Sequence, residues 1–147
     1  MVIAELDAGY AVIGDVQFLP GYCVLLGKDP AAAALADMPR PERVRFLADV
    51  DLLATAVERA CRATDPAFRR VNIDVLGNTD PFVHAHVWPR YDWEPAHLLR
   101  RPVWLYDPAK WSDPASAFRD QHTQLRERIT AELVLLARDD TTVVTGG

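Results

Sequence analysis

The chain has 147 residues, half of them apolar, with 21 acidic residues against 16 Lys and Arg and a formal net charge of -5. That size and apolar share allow one domain with its own core, whereas the acidic balance argues against general nucleic-acid binding, which needs a basic surplus. No apolar run approaches the roughly 18 residues that cross a bilayer, and the opening "MVIAELDAGY" lacks a basic flank followed by a long apolar segment, so a soluble, cytoplasmic protein without a membrane partner is expected.

Residues 10–15 ("YAVIGD") and 21–28 ("GYCVLLGK") are short apolar runs separated by the turn signal Pro20-Gly21, and read as two adjacent antiparallel strands. Asp29 as an N-cap, Pro30 at the first helical position and an alanine run stopped before Pro39 predict a short helix. From Pro41 to Thr64 apolar residues recur at Phe46, Val50, Leu53, Val57 and Ala60, with Leu47, Ala54 and Cys61 beside them, the stripe of a helix facing one core. "RRVNIDV" alternates Val71, Ile73 and Val75 with Asn72 and Asp74, which predicts a strand with one buried and one polar face. The turn "GNTDP" feeds it into the run that begins at Phe82, so those two strands pair antiparallel. Residues 91–113 are rich in Trp, Tyr and Pro without a steady period, and read as a long structured connection. Asp113 as N-cap and Pro114 then open a long helix carrying Phe118, Leu125, Ile129, Leu133 and Leu136. One domain over 1–140 and a frayed tail over 141–147 are expected, with no internal repeat. Cys23 and Cys61 fall in apolar faces, not in a close pair, and are expected to be reduced core residues.

Residues 80–93, "DPFVHAHVWPRYDW", carry the chemistry. Alternation puts Val83, Ala85 and Val87 on one face of a strand and Phe82, His84, His86 and Trp88 on the other. Two imidazoles at i and i+2 stand about 7 Å apart at their bases, near enough to act on one small group. Neutral imidazole can serve as nucleophile, base or metal ligand. Spacing alone leaves three readings open: polar residues on a wet strand face, a nucleophilic pair, or part of a metal site that would need further ligands. His97 and His122 have no matching spacing, and Asp74, Asp80 or Asp92 could serve only if folding brought them in.

The run "GNTDPFVHAHVWPR" resembles the signature of the histidine triad (HIT) family, nucleotide hydrolases and transferases in which His-x-His-x-His follows a Gly-Gln step and precedes Pro-Arg after two apolar residues. Counting back from "HVWPR", His86 falls at the third histidine, His84 at the middle one, Phe82 at the first, and Gly77-Asn78 at Gly-Gln. "LPGYCVLLGKDPAAAALADMP" is similar to the family's Pro-Gly-His, apolar strand, Pro-Lys and short helix, so the resemblance covers roughly residues 10–91; it is nearest to the bacterial diadenosine-tetraphosphate hydrolase-like branch. The departures are Phe82, Asn78 and Tyr22.

The resemblance implies an α+β domain, an antiparallel sheet of about five strands with two main helices, forming a homodimer through its sheet and long helix. It implies that His84 attacks the α-phosphorus of a nucleoside polyphosphate, dinucleoside polyphosphate or phosphoramidate, giving a nucleotidyl-histidine that water resolves. His86 would hydrogen-bond a phosphate or leaving-group oxygen and Asn78 would hold the phosphate, beside Gly77. Asp15 is the candidate for ribose hydroxyls, Asn72 for orienting the site, Arg90 and Lys28 for the anionic tail. No cofactor and no bound metal are expected, although a divalent cation can accompany a polyphosphate. The alternatives are a nucleotide-binding or sensing protein that has lost turnover through Phe82, and a metal-dependent hydrolase with His84 and His86 as ligands. Trp88, Trp93, Trp104 and Trp111 fit either base stacking or core and dimer contacts.

Overall fold

Five short strands build one antiparallel sheet in the computed structural model, which describes residues 1–143. In chain order the elements are β1 (Val2–Glu5), β2 (Gly9–Ile13), β3 (Cys23–Gly27), α1 (Arg40–Thr64), β4 (Phe68–Asp74), β5 (His84–Tyr91) and α2 (Thr123–Val143). The sheet order is β1-β2-β3-β5-β4, so β5 lies between β3 and β4, and the edges are β1 and β4. The expected α+β architecture of five antiparallel strands and two helices is present. The expected tail over 141–147 falls, from 144 onward, outside the described residues.

Register decides which residues share a face. Ala11, Leu25 and Ala85 form one row across the sheet and Ile13, Cys23 and Val87 another, and these six side chains are buried. Helix α1 packs across this face, and its Phe46, Val50, Leu53, Val57 and Ala60 supply the facing layer. On the opposite face Val12, Val24, His86 and Asp74 make one row, with Tyr10, Leu26 and His84 in the next. Helix α2 packs on α1 and β1 through Leu125, Ile129 and Leu133. Cys23 and Cys61 are free, buried thiols, and burial pushes the Cys61 pKa up to about 11. Among the described residues no helix is long and apolar enough to cross a membrane.

Four local expectations are corrected. The alanine run forms turns and a single 3-10 turn at Leu35–Asp37. Asp37 accepts the amides of Ala33 and Ala34 at 3.0 and 2.8 Å, and the Ala32 carbonyl accepts from Val83 N at 2.9 Å, so backbone groups that a helix would use are already engaged. The last helix begins at Thr123, nine residues after Pro114. Asp113 does cap, but only a 3-10 turn over Pro114–Ser116, because the next backbone pairs with the loop after β2: Gln17 N to Ser116 O at 2.5 Å and Phe118 N to Asp15 O at 2.7 Å. Ile73 on edge strand β4 and Val75 just past its end, both read as buried, are 47% and 37% exposed, and Leu47 is 44% exposed on α1. Strand β1 carries no clear alternation and was not anticipated from the sequence.

Candidate functional site

His84 and His86 sit mid-sheet on the face away from α1, and the long connection folds back over it. Trp88, expected beside them on a wet face, has 0% exposure because Phe18, Tyr22 and Trp104 cover it. What remains open is a cleft of about 390 Å³ lined by Tyr22, Leu76, Asn78, Thr79, Asp80, His84, His86, Trp104 and Trp111. A second depression of about 440 Å³ shares the two histidines, Tyr22 and Asp80 and extends past Phe82 to Asp15.

The two imidazoles stand 4.8 Å apart, centroid to centroid, with planes crossed at 79°. His84 is 7% exposed, and its Nδ1 lies 2.8 Å from the carbonyl of Phe82. A carbonyl only accepts, so Nδ1 carries the proton and Nε2 holds the lone pair. Phe82 itself packs 4.8 Å from the His84 ring. The Nδ1 of His86 lies 2.8 Å from the Tyr22 hydroxyl. Burial, with the neighbouring His84 adding to it and Asp80 opposing, lowers the His86 pKa to about 4.

Tyr22 is held as tightly as the histidines. Its ring stacks on Trp88 with centroids 3.5 Å apart and planes 4° from parallel. Any Cβ at position 14 would collide with that ring, so the close approach requires Gly14. The buried Gln17 amide ties the loop: Nε2 donates to the carbonyls of Gly14 and Tyr22 at 2.8 and 3.0 Å, and Oε1 accepts from Gly21 N at 2.8 Å. Gly21, at φ 95°, makes the turn that a side chain would strain.

The structure gathers His84, His86, Asn78 and, at the far margin, Asp15. Gly77 adjoins Asn78 in the same loop but does not line the cleft. Asn72 shares the sheet face, paired in register with Trp88, yet opens into a separate groove, and the indole of Trp104, donating to Asp74 at 3.2 Å, stands at the boundary. Arg90 is not at the cleft: 3% exposed, it donates to Glu94 at 2.8–3.0 Å and to the carbonyls of Leu98 and Arg101 at 3.0 and 2.8 Å. Glu94 also accepts from Tyr106 at 2.7 Å, so Arg90 anchors the segment that carries Trp104. Lys28, just past the C-terminal end of β3, lines a different hollow and is bound to Glu5 at 2.9 Å and to the Leu6 carbonyl at 2.6 Å. His97 is exposed in the connection and His122 is buried against Arg119 N at 3.0 Å; neither joins the site. Among the described residues no group of three or more His, Cys, Asp or Glu is placed to hold a metal.

Two residues at the cleft were given no nucleotide-site role from the sequence. Tyr22 was noted only as a departure, although strand parity puts residue 22 on the same face as Val24 and hence as His86. Asp80, weighed from the sequence only as a carboxylate that folding could bring to a metal site, borders both hollows.

No protein-family model and no curated protein matches the chain by sequence. Solved structures do match. A histidine triad protein from Marinobacter aquaeolei VT8 superposes with a TM-score of 0.74 at 19% identity, covering 92% of this chain and 90% of that one. One from Sinorhizobium meliloti 1021 gives 0.73 at 18% identity over 90% and 88%. A hypothetical histidine triad nucleotide-binding protein from Sulfolobus tokodaii strain7 gives 0.64 at 13% over 93% and 85%.

Proposed function

From the histidine triad fold of this chain, we propose that it is a nucleotide hydrolase acting on nucleoside polyphosphates, dinucleoside polyphosphates or phosphoramidates through a nucleotidyl-His84 intermediate. The observation that carries this reading is the fixed His84 tautomer: with Nδ1–H given to the Phe82 carbonyl, Nε2 is the nucleophilic nitrogen, in a cleft shared with His86 and Asn78. After attack the ring becomes cationic, and the same carbonyl stabilises it. His86 and the Asn78 amide supply hydrogen bonds to the phosphate oxygens, and Asp15 is placed for ribose hydroxyls. Among the described residues the cleft lining holds carboxylates and no Lys or Arg, so a polyphosphate arrives with a divalent cation. The free buried thiols suit a cytoplasmic setting. A homodimer is part of this reading, joined at the β4 edge, where Ile73 and Val75 are exposed.

One observation favours the second reading, a nucleotide binder without turnover: a phenyl ring at Phe82, 4.8 Å from His84, occupies the place where the family has its first histidine. The deciding experiment incubates the protein with dinucleoside polyphosphates, nucleoside phosphoramidates and nucleotidyl sugars. The outcome expected is nucleoside monophosphate release, with a mass gain of one nucleoside monophosphate on quenched protein. Neither product nor adduct across that panel leaves the binder.

A further inference from the structure

We propose that Tyr22 is a positioning residue that holds His86 as its Nε2–H tautomer, so that the site selects substrates whose leaving group departs as a phosphate oxyanion over those whose leaving group must be protonated. The inference rests on the hydrolase reading above and names the substrate class within it: a phosphoanhydride rather than a phosphoramidate.

The phenol has one proton, and its hydrogen-bond partner is His86 Nδ1 at 2.8 Å. Burial raises the Tyr22 pKa far above that of an ordinary tyrosine, so the phenol keeps its proton, and Nδ1 is the acceptor within its reach. The ring cannot swing away, being parallel to Trp88 at 3.5 Å with Gly14 against it and Gln17 holding both ends of its loop. An Nδ1 that accepts leaves the ring proton on Nε2. The two neighbouring imidazoles are thus set in opposite senses through the same atom. His84 offers a lone pair at Nε2, and His86 offers an N–H there.

A second proton on His86 would have to enter at Nδ1, turning the Tyr22 hydroxyl from donor to acceptor and placing a charge on a ring that burial and the neighbouring His84 keep neutral. The other groups facing this ring are His84 from its own strand, Asp80 from the loop before β5, Asp74 from β4 and, beyond Tyr22, Asp15. Asp74 is engaged by Trp104, and Asp80 is exposed, where water weakens its pull. His86 therefore stays neutral at pH 7 and stabilises developing charge without being a proton source.

With an anhydride that suffices. The Nε2 lone pair of His84 forms the N–P bond as the bridging P–O bond breaks, and the electron pair leaves on a phosphate oxygen that the His86 N–H can bond. Water then attacks phosphorus, the P–N pair returns to Nε2, and the water proton passes to solvent. A phosphoramidate must gain a proton on nitrogen as its P–N bond breaks, and the N–H of a neutral imidazole bonds to that nitrogen without being acidic enough to release its proton.

Nitrogen-15 NMR of the imidazoles and rate measurements on diadenosine tetraphosphate and adenosine 5′-phosphoramidate test this together at pH 7. In the wild type, His86 is expected to show an unprotonated Nδ1, and kcat/KM for the phosphoramidate should be lower by ~100-fold or more, the usual worth of a general acid. Tyr22→Phe keeps the stacked ring and removes the donor; it should yield a mixture of His86 tautomers and narrow the substrate preference. A protonated Nδ1 in the wild type, an unchanged tautomer in Tyr22→Phe, or equal rates on the two substrates overturns the role of Tyr22. Turnover of neither compound, with the tautomer as stated, instead overturns the hydrolase reading and the selectivity with it.

Discussion

His84 depends on one backbone carbonyl, and a side-chain change can isolate what it does. His84→Ala removes the proposed nucleophile but leaves Asn78, His86 and the indole walls, so turnover should fall by at least ~1000-fold while nucleotide affinity shifts only a few-fold. Calorimetric titration beside a product assay measures both, and activity retained in this variant contradicts the covalent route. His86 makes a different demand, on stability. Its pKa is lowered from 6.5 to about 4 in the folded protein, so between those values the unfolded chain takes up a proton that the folded site refuses. Stability is whole above about pH 6.5 and declines as pH falls toward 4. Replacing His86 by Gln should flatten that acid decline in Tm, and a slope identical to wild type would show that the ring titrates normally when folded. The pair itself was legible in the sequence because strand alternation is a local rule. Tyr22 lies 64 residues from His86, and no local rule joins them.

Elements were legible where one periodicity ran long enough to outweigh its neighbours. Helix α1 repeats its apolar stripe from Phe46 to Cys61, about four turns, and the stripe is what the sheet receives. The alanine run and the region after Pro114 carried good caps but few apolar anchors, and caps without packing do not hold a short helix against competing backbone partners. The 91–122 connection shows the opposite failure. It has no period at all, yet it is fixed by the buried Arg90–Glu94 pair, an i,i+4 spacing outside any helix. Glu94→Ala would leave the Arg90 guanidinium buried without its counter-charge, and also strip acceptors from Tyr106 and the Tyr91 amide. A loss of about 3–5 kcal/mol in denaturant unfolding is expected; a loss below ~1 kcal/mol would mean that the connection is held elsewhere.

At the scale of the molecule, the sheet ends on a strand that still offers hydrogen-bonding groups, with exposed apolar side chains at Ile73 and, just past its end, Val75. Their alternation suggested a buried face, and a second copy is the partner proposed to bury them. Ile73→Lys should convert a dimer to a monomer in light scattering, and a monomeric wild type would remove the dimer from the account. The four tryptophans have a further consequence. Trp88, Trp104 and Trp111 form one contiguous group at the cleft, with Trp104 at 5.8 Å from each of the others, while Trp93 stacks on Tyr91 well along the chain and donates to Asp65 at 3.1 Å. Three of the four native fluorophores therefore report on the cleft and one is a constant background, so the molecule carries its own optical readout of occupancy. Unlabelled nucleotide should quench most of the intrinsic emission and perturb the near-ultraviolet dichroism, and Trp93→Phe should leave the fractional quench larger, because it deletes only the silent signal.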